Sequence, residues 1–267
     1  MPHPIERLRW VARAEGAGAT LLAREAASAL ATIGDDLPGL LTGCRRLLDR
    51  HPSVGPLWWL SARALAAEDP ARELYVAMSD LDADPTSQVL AAHLPDDTTV
   101  TVLGWPEQGG DALRRRGDAE VFVVDVRGEG SSFARRLAAN GLEAFEVSEA
   151  GMGSAVRESS LVLLEASALG PSGCICPSGS LAAAAVGKAL GIEVWVVAGA
   201  GRVLPGRLWE ALLARLDEAD DPWALEDELV PLDWVTGVAG PNGVSPPTDA
   251  VKRADCPVVP ELLGWGS

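Results

Sequence analysis

The amino-acid sequence predicts an α/β protein with an N-terminal helical domain over residues 1–97 and an α/β domain over residues 98–267. We expect the second domain to be a Rossmann-like, mostly parallel, doubly wound sheet. Two observations support this prediction. Before residue 97, apolar residues recur at the spacing of one helix face. After it, short, continuous apolar runs alternate with helical segments, a pattern typical of β-α units.

The helical half is divided by residues that favour turns. Gly, Asp, Pro and Ser interrupt the periodicity near residues 34–36, 51–53 and 84–85. The segments with helical periodicity are residues 5–12, 21–30, 37–48, 57–65 and 70–90. They predict four or five helices, and we assign the adjacent Trp58 and Trp59 to the core between them.

The second half contains five apolar runs of strand length. They cover residues 98–103, 121–126, 144–147, 161–164 and 194–198. Their hydrophobicity is continuous rather than alternating, which suits strands of a parallel sheet covered on both faces. Helical candidates lie between and after these runs, at residues 109–116, 131–140, 180–190 and 204–218. In the acidic, Pro- and Gly-containing tail, residues 234–236 are expected to add a last strand.

Composition limits the classes of partner. The 267 residues carry a formal net charge of -16, which disfavours nucleic acids and anionic membrane surfaces because both are bound through surplus Lys and Arg. No apolar run reaches the length of a membrane span, and no secretory signal pattern is present. We therefore expect a soluble, cytoplasmic protein that needs no cofactor.

The cysteines do not form a metal-binding pattern. Cys174 and Cys176 lie two residues apart, so in a strand both sulfurs would point to one face. The histidines offer no spacing that would complete a zinc site. We therefore expect reduced, mostly buried thiols and no metal.

The first candidate binding segment follows the run at residues 121–126. Arg127, Gly128 and Gly130 form a glycine turn between a strand and a helix, where backbone N–H groups could bind an anion. The segment is not G-x-G-x-x-G, so a dinucleotide is not indicated. A tight strand-to-helix turn without a ligand remains the alternative.

Ser178, Gly179 and Ser180 precede the alanine-rich helix at residues 180–190. The first turn of that helix could hold a phosphate. Alternatively, Ser178 or Ser180 serves only as the N-cap of the helix.

Two further segments are weaker candidates. Glu165 and Ser167 follow the strand predicted at residues 161–164, so either could face a ligand at the carboxyl edge of the sheet. A lone carboxylate there does not define an acid–base pair. Residues 15–18 (Glu-Gly-Ala-Gly) permit close backbone approach, either to a ligand or to a neighbouring helix.

The order of these segments resembles the family that unites the alpha, beta and delta subunits of translation initiation factor 2B with methylthioribose-1-phosphate and ribose-1,5-bisphosphate isomerases. Each motif is weak alone, but together they cover nearly the whole chain. The matching segments are residues 14–30, 51–58, 125–130, 165–169, 176–182, 230–231 and 237–243. The resemblance implies a homodimer with a ligand crevice between its domains.

The same resemblance implies that the isomerases' catalytic groups are missing. Gly104-Trp105-Pro106 stands where the family has its catalytic Cys, and Ser167 stands in place of its catalytic Asp. Pro177 replaces a Lys, and Glu15 replaces an Arg that binds phosphate. We therefore expect a non-catalytic factor-2B-like protein that binds a protein partner or senses a small phosphorylated metabolite, with its catalytic residues unknown.

Two other interpretations remain open. One is a sugar-phosphate isomerase-like enzyme with a rearranged site that uses Arg127, Glu165 and Ser167. The other is a purely structural subunit of a larger assembly. If a phosphate binds, Arg127 is the nearest cation, Arg202 is a second candidate, and nearby carboxylates weaken the attraction.

Overall fold

The computed structural model describes residues 18–34, 36–216 and 225–265. Its first part is helical, as the periodicity predicts. The helices are α1 (Ala19–Ala31), α2 (Leu37–Arg50), α3 (Gly55–Ala66), α4 (Pro70–Asp82) and α5 (Thr86–His93). The helix predicted at residues 5–12 lies outside the described residues.

Local chemistry explains where several of these helices begin. The Asp36 side chain accepts a hydrogen bond from Gly39 N, and the Asp69 side chain accepts one from Arg72 N. Proline near the start of α2 and α4 costs no helical hydrogen bond, because the first N–H groups lack an intrahelical partner. Trp58 and Trp59 are buried, as expected.

The second part is built on a seven-stranded sheet. Its strands are β1 (Thr99–Leu103), β2 (Glu120–Asp125), β3 (Glu143–Ser148), β4 (Leu161–Glu165), β7 (Glu193–Val197), β9 (Gly237–Gly240) and β10 (Gly243–Ser245). The order across the sheet is β10-β9-β7-β4-β1-β2-β3, and every pairing is parallel except that of β9 with β10. The predicted mostly parallel, Rossmann-like α/β fold is thus confirmed.

The second part also contains six helices, four of which begin and end close to the predicted residues. The six are α6 (Glu107–Arg116), α7 (Gly130–Ala139), α8 (Met152–Glu158), α9 (Ser180–Leu190), α10 (Gly206–Leu216) and α11 (Pro247–Ala250). The short helices α8 and α11 were not predicted. In the described chain, no helix is long and apolar enough to cross a lipid bilayer.

A second, three-stranded antiparallel sheet is absent from the sequence prediction. It contains β5 (Ala168–Gly170), β6 (Gly173–Pro177) and β8 (Asp227–Pro231), in the order β5-β6-β8. The strand expected at residues 234–236 is wrong, because Leu232–Trp234 forms a 3-10 turn and β9 begins at Gly237.

One apolar core joins the helical part to the end of the chain. The cluster that contains Trp58 and Trp59 continues into Leu208 and Leu212 of α10 and into Leu262 near the C-terminus. The boundary proposed at residue 97 therefore separates a helical part from an α/β part, and the two parts share one apolar core. Independent folding of residues 1–97 and 98–267 stays a prediction.

Candidate functional site

A crevice of about 700 Å³ lies where the order of the parallel strands reverses. From β1 the chain continues to β2 and β3 on one side, whereas β4, β7 and β9 follow on the other. Such a reversal leaves a gap beyond the carboxyl ends of the two central strands. Here the start of α1 and the loop between α2 and α3 close that gap from the helical side.

The crevice brings together half of the predicted site residues. Arg127, Glu165, Ser167 and Ser180 line it. The other four predicted residues, Gly128, Gly130, Ser178 and Gly179, do not belong to its lining. Four of the eight predicted residues thus border one crevice, and binding of a ligand by them stays a prediction.

Glu165 and Arg202 form a buried ion pair at the base of the crevice. Arg202 Nη1 lies 3.2 Å from Glu165 Oε1, and the two side chains are 3% and 10% exposed. Arg202 also donates to the Ala166 carbonyl oxygen at 2.6 Å. Glu165 Oε2 accepts hydrogen bonds from Gln108 N at 2.9 Å and from Gly109 N at 3.1 Å. The carboxylate thus neutralises Arg202 and the N-terminus of α6 at once.

Burial raises the pKa of Glu165, while Arg202 and the two α6 N–H groups oppose that shift. The three donors around it, from Arg202, Gln108 and Gly109, are the arrangement that a buried carboxylate needs in order to stay charged. Arg202 in turn lies 4.0 Å from Glu107, which is half exposed at the start of α6. Arg202 therefore contacts two carboxylates of the protein itself, those of Glu165 and Glu107.

The starts of α7 and α9 beside the crevice are also capped by carboxylates. Asp125 Oδ1 accepts a hydrogen bond of 2.7 Å from Gly130 N, the first residue of α7. Glu228 Oε1 accepts one of 2.6 Å from Leu181 N in the first turn of α9. Acidic side chains of the chain itself thus occupy the N–H groups that the sequence assigned to an anion.

The serines before α9 do not cap it, contrary to the alternative offered above. The N-cap residue of α9 is Gly179, which has no side chain that could form a capping hydrogen bond. The Ser178 hydroxyl donates to the Leu225 carbonyl oxygen at 2.5 Å. The Ser180 hydroxyl is buried beside the crevice and has no hydrogen-bond partner among the described residues.

Arg127 adopts a left-handed backbone conformation with φ of 63°, which is uncommon for a residue with a side chain. Its guanidinium lies 2.7 Å from Glu226 at the mouth of the crevice. Gly128 follows with φ of 76°. This glycine turn therefore aims the Arg127 side chain at the segment before β8.

Four acidic residues of the crevice were not among the predicted site residues. These are Glu107, Glu129, Glu226 and Asp227. Asp227 is partly buried, and burial raises its pKa, opposed by a hydrogen bond with Ser53 and by the charge of Arg127. Two of the four residues belong to or adjoin β8, a strand whose sequence, Asp-Glu-Leu-Val-Pro, contains only two consecutive apolar residues before its proline.

Comparisons with known proteins were made by sequence and by structure. No protein-family sequence model matches the chain, and no curated protein sequence matches it. Among solved structures, translation initiation factor eIF-2B from Pyrococcus horikoshii OT3 superposes with a TM-score of 0.77 at 15% identity, covering 94% of this chain and 99% of that one. The chain has the fold of an eIF2B subunit. The beta subunit of eIF2B from Chaetomium thermophilum has a TM-score of 0.70 at 13% identity, covering 97% and 91% of the two chains.

A third match comes from the tetrameric eIF2B-beta2-delta2 complex of C. thermophilum, with a TM-score of 0.73 at 13% identity and coverage of 93% and 92%. The superpositions establish the eIF2B-type fold. At identities this low they show nothing of the activity. They confirm the resemblance to factor 2B subunits that the order of motifs indicated. The relationship to the isomerases stays a prediction.

Within this eIF2B-type fold, the positions that the resemblance marked as altered do border the crevice. Gly104, Trp105 and Pro106 follow β1 there, and Ser167 and Pro177 also line the crevice. Gly55 N donates to Ser167 O at 2.9 Å, which places the loop before α3 against the end of β4. Glu15, Gly16 and Ala17 lie outside the described residues, and Gly18 is the N-cap of α1.

The thiols lie apart from this crevice. Cys44, Cys174, Cys176 and Cys256 are free and buried, and none of them belongs to its lining. The sulfurs of Cys174 and Cys176 are 3.6 Å apart on one face of β6, as predicted. Burial raises the pKa of Cys44 to about 12, so this thiol stays protonated. The described residues include no His, Cys, Asp and Glu cluster suited to a metal ion.

Proposed function

We propose that the chain is a non-catalytic protein of the eIF2B-subunit fold that binds a small molecule in the crevice and acts through protein partners. The observation that carries this proposal is that Glu165 and Ser167, two polar residues of the crevice, are already bound to other groups of the protein. Glu165 is engaged by Arg202 and two N–H groups, and the Ser167 hydroxyl donates to Ile175 O at 3.2 Å. A proton-shuttling isomerisation needs an acid and a base free to exchange protons with the substrate.

We therefore expect no turnover of ribose-1,5-bisphosphate or methylthioribose-1-phosphate by the purified chain. A coupled assay with an active isomerase as positive control would measure this. The wild type and a Glu165→Gln variant should give the same background signal. A wild-type rate of about 1 s⁻¹ or more, lost in Glu165→Gln, would contradict the proposal.

That contradicting result would favour the alternative function, a sugar-phosphate isomerase-like enzyme with a rearranged site. One observation supports the alternative: burial raises the pKa of the Glu165 carboxyl, as in many catalytic acids. Arg127 and Ser167 border the same crevice and could orient a substrate. Against it stands the ion pair with Arg202, which holds the carboxylate away from proton exchange.

A homodimer is part of this proposal. Three of the four exposed residues of α9 are apolar: Ala182, Ala189 and Leu190, the last of which is 50% exposed, whereas the fourth, Lys188, pairs with Asp233. Leu229 on the neighbouring strand β8 is 39% exposed. Exposed apolar surface of this kind is stabilised by burial against a partner. The beta and delta subunits of the C. thermophilum complex form a tetramer, so subunits of this fold associate in that protein.

We expect sedimentation velocity at micromolar concentration to show a dimer for the wild type and a monomer for Leu190→Glu. Val76→Glu is the matched control, because Val76 is 41% exposed on α4, far from α9 in the sequence. A wild-type monomer would refute the dimer. A dimer that tolerates Leu190→Glu but not Val76→Glu would assign the interface to the helical part.

A further inference from the structure

We infer that the crevice recognises a small organic cation, an ammonium compound, and excludes phosphate. This inference rests on the proposal that the crevice binds a small molecule. It differs from the phosphorylated ligand that the sequence suggested, because the charges found in the crevice have the opposite balance.

The first argument is that three helix starts beside the crevice are already capped by carboxylates. Glu165, Asp125 and Glu228 accept hydrogen bonds from N–H groups in the first turns of α6, α7 and α9. Each carboxylate offsets the positive end of a helix dipole that would otherwise attract phosphate. A phosphate at any of these three helix starts would meet the like charge of the carboxylate already bound there.

The second argument is the surplus of negative charge. The described lining contains five carboxylates, Glu107, Glu129, Glu165, Glu226 and Asp227, and three arginines, Arg50, Arg127 and Arg202. Arg202 is paired with Glu165, and Arg127 is paired with Glu226. Glu129 makes no ion pair with any described residue, and Asp227 makes a hydrogen bond with Ser53 but no direct ion pair. A cationic ligand would neutralise these two carboxylates.

The third argument comes from Ser180. Its hydroxyl oxygen is buried at the edge of the crevice and has no partner among the described residues. A buried hydroxyl of this kind is normally satisfied, because leaving it unpaired is costly. Asp227 pairs across the strands with Pro177, three residues before Ser180, so both groups belong to one wall. An N–H or O–H group of the ligand could donate to the Ser180 oxygen while its charge lies beside Asp227.

Trp105, which follows β1, supplies an aromatic side chain to the lining of the crevice. The residue is 41% exposed. The Arg136 guanidinium already lies 5.4 Å from the ring centroid, a distance typical of cation-π contacts. Aromatic rings together with carboxylates are the groups that proteins use to bind ammonium ions. The crevice volume of about 700 Å³ suits a ligand of metabolite size.

Calorimetric titration of the full chain tests the inference. The probes are 1,4-diaminobutane, choline, inorganic phosphate, ribose 5-phosphate and unphosphorylated ribose. We expect heat of binding from 1,4-diaminobutane or choline and none from the two phosphate compounds or ribose. Asp227→Asn should weaken binding of the cation by about tenfold or more, as expected when a partly buried charged contact is lost. Ser180→Ala should weaken it less.

Two further variants make the result specific. Glu129→Gln removes an exposed carboxylate of the crevice and should weaken binding without loss of folding. Asp233→Asn removes one negative charge outside the crevice, so it controls for overall charge and should leave the affinity within about twofold. Equal affinities for Asp227→Asn, Glu129→Gln and Asp233→Asn would overturn the assignment to this crevice.

The failures of the two proposals are distinguishable. Binding of phosphate, ribose 5-phosphate or ribose that is tighter than binding of both cations would refute the cation and keep a small-molecule crevice. No heat from any of the five probes, with no shift in thermal unfolding, would refute both and favour a protein-binding or structural subunit. Turnover of a sugar phosphate would refute the non-catalytic function itself.

Discussion

Replacing Arg202 with Met is expected to lower the free energy of unfolding by about 3–5 kcal/mol, because removal of one partner leaves a buried charge without compensation. Arg202 is 3% exposed and contacts both Glu165 and the Ala166 carbonyl oxygen. Met preserves most of the apolar volume of the side chain, so the loss would reflect charge and hydrogen bonding. Urea unfolding followed by circular dichroism would measure it.

The double variant Glu165→Gln/Arg202→Met should recover part of that loss. Glutamine still accepts the N–H groups of Gln108 and Gly109 but carries no charge that needs Arg202. Arg157→Met is the matched control, since Arg157 is 65% exposed and pairs only with the exposed Glu158. It should cost less than about 1 kcal/mol. Equal stability of Arg202→Met and Arg157→Met would contradict the buried pair.

The loss caused by Arg202→Met should also depend on pH. Arg202 lowers the pKa of Glu165 against the effect of burial, so its removal moves the pKa of the folded state further above that of the unfolded chain. The folded state then binds the proton more tightly, and stability falls as pH rises through the interval between the two pKa values. The deficit relative to wild type should therefore be larger at about pH 8 than at about pH 5. A deficit independent of pH would show that Glu165 is not the affected group.

The sequence predicts the main sheet because its central strands are continuous apolar runs. In β1, β2, β4 and β7, nearly every residue packs against a helix layer or a neighbouring strand, so the pattern is strong and local. The small antiparallel sheet gives no such signal. Its strand β5 has three residues, and β8 begins with Asp227-Glu228. Only the pairing of distant segments makes these residues strands.

The chemistry of the crevice shows the same limit. The cap of Gly130 by Asp125 spans five residues and could be expected from a strand end followed by a helix. The cap of Leu181 by Glu228 joins residues 47 apart, through the pairing of β6 with β8. Without β8, the sequence leaves the start of α9 open and assigns it to a phosphate. Placing this one strand therefore changes the charge of the ligand that we expect, from negative to positive.

Replacing Asp84 with Ala is expected to lower the free energy of unfolding by about 3 kcal/mol or more, because hydrogen bonds to a charged acceptor contribute about 1.5–3 kcal/mol each. Asp84 lies between α4 and α5. Its Oδ1 accepts hydrogen bonds from Thr86 N at 3.0 Å and from the Thr86 hydroxyl at 2.5 Å. Its Oδ2 accepts from Gln108 Nε2 at 2.6 Å and from Ala200 N at 2.8 Å. One carboxylate thus connects the helical part to α6 and to the loop after β7.

Asp82→Ala is the control for this prediction, since Asp82 is 50% exposed and pairs with the equally exposed Arg24. It should cost less than about 1 kcal/mol. Asp84→Asn should fall between Asp84→Ala and wild type, because an amide presents one acceptor oxygen and an NH₂ group that faces donors. Thermal unfolding would follow all three, with an expected fall in Tm of about 6–12 °C for Asp84→Ala. If Asp84→Ala and Asp82→Ala lower Tm equally, Asp84 does not hold the helical part against the sheet.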